Sequence, residues 1–222
     1  MIIVYILLVL LAVIVARTLM FTPPKAEEKC FEDIGQDREA SIHNLSELIK
    51  CRTVSSEDPA LEDDAEFEKL VGMLPELYPN VWKTCSLQRF EGRGLLFHWK
   101  GKTEGNPAVL MAHYDVVPVE EDKWQKPAFE AIIEDGVMWG RGTLDTKVTF
   151  NGILSGAENL IRQGFQPEQD VYFAFSGGEE VNGPGAENIV DYFRERGVEL
   201  RLVLDEGGAV VEDVFPGVTG QC

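Results

Sequence analysis

The chain is poor in histidine, positive charge and cysteine, and each scarcity removes a class of function. Lys and Arg number 20 against 38 Asp and Glu, a formal net charge of -18, and no basic run occurs. A phosphate-backbone partner requires clustered Lys and Arg, so nucleic acid is excluded. The four cysteines, Cys30, Cys51, Cys85 and Cys222, show no C-x-x-C or Cys/His spacing, which argues against a structural zinc site. A disulfide among the first three stays open. The only histidines are His43, His98 and His113, so a metal site would have to draw mainly on carboxylates. There is no internal repeat and no low-complexity segment. What remains is an ordinary globular composition, 45% hydrophobic over 222 residues, enough for one domain or one plus part of another.

Met1 to Ala16 is uncharged and almost wholly aliphatic, and apolar residues resume after Arg17 until Thr22-Pro-Pro24. A membrane span needs about 20 residues, so residues 1–22 suffice if Arg17 reaches the interface. A cleaved secretory signal is the rival, but a positive start and a clean A-x-A site are missing. A retained anchor is therefore expected, followed by a charged linker over 23–37. Arg17, Lys25 and Lys29 all follow the segment, which by the positive-inside rule would keep the next domain cytoplasmic.

Helical spacing is expected through Ile42, Leu45, Leu48 and Ile49, and again from Phe67 to Leu74, ending near Pro75 and Pro79. An acidic loop, Ser55 to Asp64, separates them. Strands are expected at 94–99 and 109–112, and Glu134-Asp-Gly136 reads as a hairpin turn between two more. Thereafter helices (146–163, 186–196) alternate with strands (171–175, 200–204), and Gly164 and Gly197 stop the helices. Alternation of this kind predicts an α/β domain with a largely parallel sheet in its second half, flanked by helices.

Ligands of open α/β sheets gather beyond the carboxyl ends of the strands. Four expected strands here end in acid-bearing segments: His113-Tyr-Asp115, Gly140-Arg-Gly-Thr-Leu-Asp145, Ser176-Gly-Gly-Glu179-Glu180 and Asp205-Glu206-Gly-Gly208. Strand-end acids are individually common as solvation or helix caps. Four together, crowded by glycines and joined by one imidazole, suit Zn²⁺ or a similar divalent ion.

These blocks resemble, in order and wording, the zinc metallohydrolase family of carboxypeptidase S, glutamate carboxypeptidase, aminoacylase and acetylornithine deacetylase. His113-Tyr-Asp-Val-Val-Pro-Val119 most resembles the branch of carboxypeptidase S and N-acyl-amino-acid hydrolases. The resemblance implies a zinc-exopeptidase-like fold and a two-zinc site, with cobalt or manganese as other candidates. It implies that His113 and Asp205 hold one zinc, Asp145 bridges, Glu180 holds the second, Asp115 orients His113 and Glu179 is the general base. The implied substrate is a small peptide or N-acyl amino acid, cut at the amide next to a free carboxylate. Anchored relatives place this domain on the lumenal or outer side, against the charge count above, and that orientation is the one expected.

Two departures shape the expectation. The family's second zinc takes a late histidine, whereas His43 and His98 both precede the site, His43 on a helix surface and His98 in a strand. The family's dimerisation domain and closing catalytic segment have no counterpart. Residues 38–222 thus read as the N-terminal part of a catalytic domain, a homodimer when complete, and by themselves a silent metal-binding fragment taking about one tight zinc. Gly177-Gly178 also stands where relatives often carry polar residues.

Overall fold

The structure, a computed structural model, describes residues 2–22 and 35–207. The expected linker falls mostly in 23–34, outside the described residues, as do Gly208 and the tail after it. Two compact units divide at Ile34 and Gly35.

The first unit contains α1 (Ile2–Leu19), an 18-residue apolar helix long enough to cross a membrane by length and composition, with all its side chains exposed. A membrane span and a signal sequence meet the same description.

The second unit is built on a five-stranded sheet in the order β1-β2-β6-β3-β7 (Ser86–Phe90, Gly94–Trp99, Val171–Ser176, Ala108–His113, Leu202–Leu204). β1, β2 and β6 pair antiparallel, and β6, β3 and β7 pair parallel. The expected α/β fold with its parallel part in the second half of the chain is thus observed. Alternation along β6 feeds two cores, because successive side chains point to opposite faces. Phe173 and Phe175 pack with Leu48, Leu70, Phe97 and Phe150 on one face. Tyr172 and Ala174 pack with Leu96, Ile189 and Phe193 on the other. Each such apolar side chain contributes about 1.5–3 kcal/mol by leaving water.

The first face is covered by α2 (Arg38–Ile49), α3 (Asp64–Leu77) and α5 (Lys147–Arg162), the second by α6 (Gly185–Glu195). Asp37 and Asp63 cap α2 and α3 by accepting the Ala40 and Ala65 amides. Gly164 and Gly197, both at positive φ, follow the ends of α5 and α6 as expected.

Some expectations need correction. α3 is not among them: it ends at Leu77, between Pro75 and Pro79, with Pro75 in its last turn, where only one helical hydrogen bond is forfeited. Pro79 then opens α4 (Pro79–Thr84), which with β1 had no sequence signal strong enough to be anticipated. Ile189, Val190 and Phe193 are expected inward on α6 from their apolar side chains, yet Val190 is 48% exposed, and Ile42 on α2 is 50% exposed. β4 (Ile132–Glu134) and β5 (Val137–Trp139) form the expected hairpin over Asp135 and Gly136, both at positive φ. That hairpin is a separate sheet, so the segment carrying Asp145 leaves a hairpin and not a strand of the main sheet.

Candidate metal centre

β3 and β6 run parallel with His113 directly opposite Ser176, so both chains leave the sheet at one level. The turn after β6 then brings Glu179 and Glu180 beside the imidazole. It can do so because Tyr114 and Gly177 interlock. A Cβ on Gly177 would lie 2.5 Å from the Tyr114 ring carbon Cζ, so only glycine fits. The Tyr114 hydroxyl donates to the Arg93 carbonyl, which also accepts the Gly177 amide. The departure at Gly177 therefore has a steric reason in this chain.

His113 is 2% exposed, and three carboxylates approach its Nε2: Asp145 at 3.0 Å, Glu206 at 3.2 Å and Glu179 at 3.9 Å. Its Nδ1 faces the Asp115 carbonyl at 3.0 Å and the Asp115 carboxylate at 3.4 Å. Ligand atoms of His113, Asp145 and Glu180 lie within 4.8 Å of one another, the one such group among the described residues. Burial alone would lower the imidazole's pKa, but Asp115, Glu206 and Asp145 outweigh it and push it up to about 10. Burial first, then the Asp145 carboxylate, raises Glu180. The cluster thus holds more negative charge than its own side chains neutralise. One imidazole and several carboxylates in such a place are a donor set that fits Zn²⁺ or a comparable divalent ion.

Asp115 is fully buried and its carboxylate holds the turn. Oδ1 accepts the Glu179 amide and Oδ2 the Glu180 amide, each at 3.1 Å. Burial works against its ionisation, yet hydrogen bonds from His113 and Ser55 hold its pKa below the usual value. Asp115 thus contacts His113, chiefly through its backbone carbonyl, and both glutamates through their amides.

Asp145 is reached through a loop anchored from within. Lys147, fully buried at the start of α5, donates to the Leu48 and Cys51 carbonyls at the end of α2. Burial pushes its amine down to about 7. Gly142 lies against Val116 and Lys147, so the Gly-Arg-Gly-Thr segment packs close to the His113 strand end. The Asp145-Thr146 peptide is cis.

Asp205 lies outside the 4.8 Å cluster. Its carboxylate accepts the Glu206 amide, and Glu206 is the acid that reaches His113. Both line a cavity of about 400 Å³ between β3 and α6, together with His113 and Glu179. His43 is exposed, and His98, on a strand paired by β1 on one side and β6 on the other, pairs with Asp170 at 2.7 Å and stacks on Tyr172. Thr53 and Ser55 carry no motif of their own, and Lys147 only closes the block from Gly140, so sequence reading passed over the supporting roles of all three.

Residues 109–219 match the model of peptidase family M20/M25/M40. The chain is 33% identical to probable carboxypeptidase S-like 2 of Dictyostelium discoideum over 95% of its length and 43% of that protein. It is 34% identical to human N-fatty-acyl-amino acid synthase/hydrolase PM20D1 over 82% of its length and 36% of that protein. Carboxypeptidase S of Saccharomyces cerevisiae is 31% identical over 80% of this chain and 34% of its own. Human carnosine dipeptidase 1 shares the fold, with a TM-score of 0.66 at 17% identity over 86% of this chain and 43% of that one. The chain thus spans less than half the length of these relatives. On the matched segment, which covers every strand end that carries the site, the chain belongs to peptidase family M20/M25/M40.

Proposed function

We propose that this chain supplies the N-terminal part of a metal-dependent hydrolase that cuts a peptide or N-acyl amide bond next to a free carboxylate. The observation that carries the reading is the convergence of His113, Asp145 and Glu180 within 4.8 Å, beyond the ends of parallel strands. Carboxypeptidase S and N-fatty-acyl-amino acid hydrolase relatives support both substrate classes. His113, Asp145 and Glu180 would hold the ion, with one acid after β7 completing the shell. Asp145 could also serve a second ion, although no second group of converging ligands occurs among the described residues. A bound Zn²⁺, or cobalt or manganese in its place, supplies Lewis acidity and acidifies water.

The chain's own residues do the rest. Glu179, whose side chain is 56% exposed and 3.9 Å from His113, is the free carboxylate that takes a proton from the attacking water. It returns that proton to the leaving nitrogen, so no charged amide anion has to depart. Asp115 holds Glu179 and Glu180 through their amides, keeping base and ligand in register. The helix α1 would anchor the domain at a membrane, with the catalytic side lumenal or extracellular, and the complete protein would pair as a homodimer.

The test uses the complete protein with dipeptide and N-acyl amino acid panels. Chelation should abolish hydrolysis and Zn²⁺ restore it, while Glu179→Gln should remove turnover and leave metal bound. Normal rates in Glu179→Gln would reassign the base.

A further inference from the structure

We infer that Ser55 is a positioning residue of the candidate metal centre, resting on the reading above that the centre binds a divalent ion. A carboxylate offers about four lone-pair sites. Those of Asp115 face four donors: Ser55 Oγ at 2.6 Å, the Glu179 and Glu180 amides at 3.1 Å each, and His113 Nδ1 at 3.4 Å. The Ser55 contact is the shortest, and the only one from outside the two strand ends that carry the ligands.

Its effect follows from where the two amides are held. Glu179 is tied to Oδ1 and Glu180 to Oδ2. Rotation of the carboxylate would therefore shift the turn that bears both glutamates. Ser55 shares Oδ2 with the Glu180 amide and blocks that rotation. Ser55 is in turn held by backbone: its amide donates to the Val116 carbonyl, and the Val116 amide donates to the Thr53 carbonyl. Val54 and Val116 form a parallel bridge, and the Thr53 hydroxyl donates to the Tyr114 carbonyl at 2.5 Å. Ser55 is 1% exposed, so no water competes for the bond. The segment 53–55, which opens an acidic loop in sequence, is thus wired by one bridge and its hydrogen bonds to the chain just beyond β3. Ligand-orienting partners of this kind are worth about 10–100-fold in metal affinity.

The experiment titrates Zn²⁺ into the detergent-solubilised full chain and into Ser55→Ala and Ser55→Thr, with circular dichroism and thermal unfolding alongside. Zinc affinity should weaken about 10–100-fold in Ser55→Ala with the fold intact, and Ser55→Thr, which keeps the hydroxyl, should recover it. Tyr78→Phe removes a buried hydrogen bond to Asn151 that touches neither Asp115 nor the 53–55 segment, and should lower stability while sparing zinc affinity. Should Ser55→Ala fail to fold, Ser55→Cys carries the same expectation, since a thiol is a weak donor of similar volume. Equal zinc affinity in wild type and the folded variants overturns the role of Ser55 alone. A wild-type chain that binds no zinc overturns the metal reading and this inference with it.

Discussion

Phe175 on β6 is fully buried, whereas Val203 on β7, two strands away, is 49% exposed. The contrast runs through both sides of the sheet. β2 and β6 are buried along nearly their whole length between α2, α3 and α5 on one face and α6 on the other. β7 is exposed at all three residues, and a groove of about 960 Å³ reaches from Trp99 and Phe173 of the packed strands past Leu110 of β3 to Arg201, just before β7. The candidate centre straddles this divide. His113, Asp115, Glu179 and Glu180 belong to the packed half, and Asp205 and Glu206 to the exposed rim. One side of the site is held by a close-packed interior and the other by a short edge strand. Rigidity of the ligands should therefore follow the packing of the strands that deliver them.

Substitutions in the two halves should separate accordingly. Phe175→Ala deletes a ring 4.4 Å from Phe150 and should cost about 3–5 kcal/mol by urea unfolding. A loss below 1 kcal/mol would mean that the packed half is not the stable one.

Lys147 gives a pH signature of the packed half. Its folded pKa of about 7 lies below the usual 10.5, so between those values the unfolded chain binds more protons. Stability therefore rises with pH across that window by this group, with a slope of at most about 1.4 kcal/mol per pH unit. Lys147→Met should lose that rise relative to wild type when unfolding is followed at pH 7 and pH 9. Parallel curves would show that the amine is not buried as described.

At the rim, the resemblance selects Asp205 as ligand and the distance selects Glu206. Asp205→Asn and Glu206→Gln should therefore differ in zinc affinity, and the true ligand should lose about tenfold or more, about 1.4 kcal/mol. Equal small losses in both would place neither acid on the ion. Smallest of all, Val203→Ala at the exposed edge should change stability by less than about 0.5 kcal/mol.

Much of this was legible in the sequence, and the exceptions share a cause. The strand ends at His113 and Glu179-Glu180 were readable because apolar runs stop abruptly at polar, glycine-rich residues. The α/β alternation was readable because Gly164 and Gly197 punctuate it. Val190 was misplaced because a three-residue apolar cluster on a short helix leaves its inward face undetermined. The hairpin of β4 and β5 looked like a member of the main sheet, since local pattern says nothing about pairing partners. Ser55, Thr53 and Lys147 went unseen because their roles are long-range. Ser55 meets Asp115 across 60 residues and Lys147 meets Cys51 across 96. Nothing local marks a serine in an acidic loop as the partner of a buried carboxylate.

The central claim is that His113, Asp145 and Glu180 form one metal centre, and zinc-edge X-ray absorption on the zinc-loaded chain tests it most directly. The expected spectrum has one imidazole nitrogen at about 2.0–2.1 Å, oxygen for the remaining ligands and no sulfur, and His113→Ala removes the imidazole signal. Sulfur ligation, or an imidazole signal that survives His113→Ala, would contradict the account.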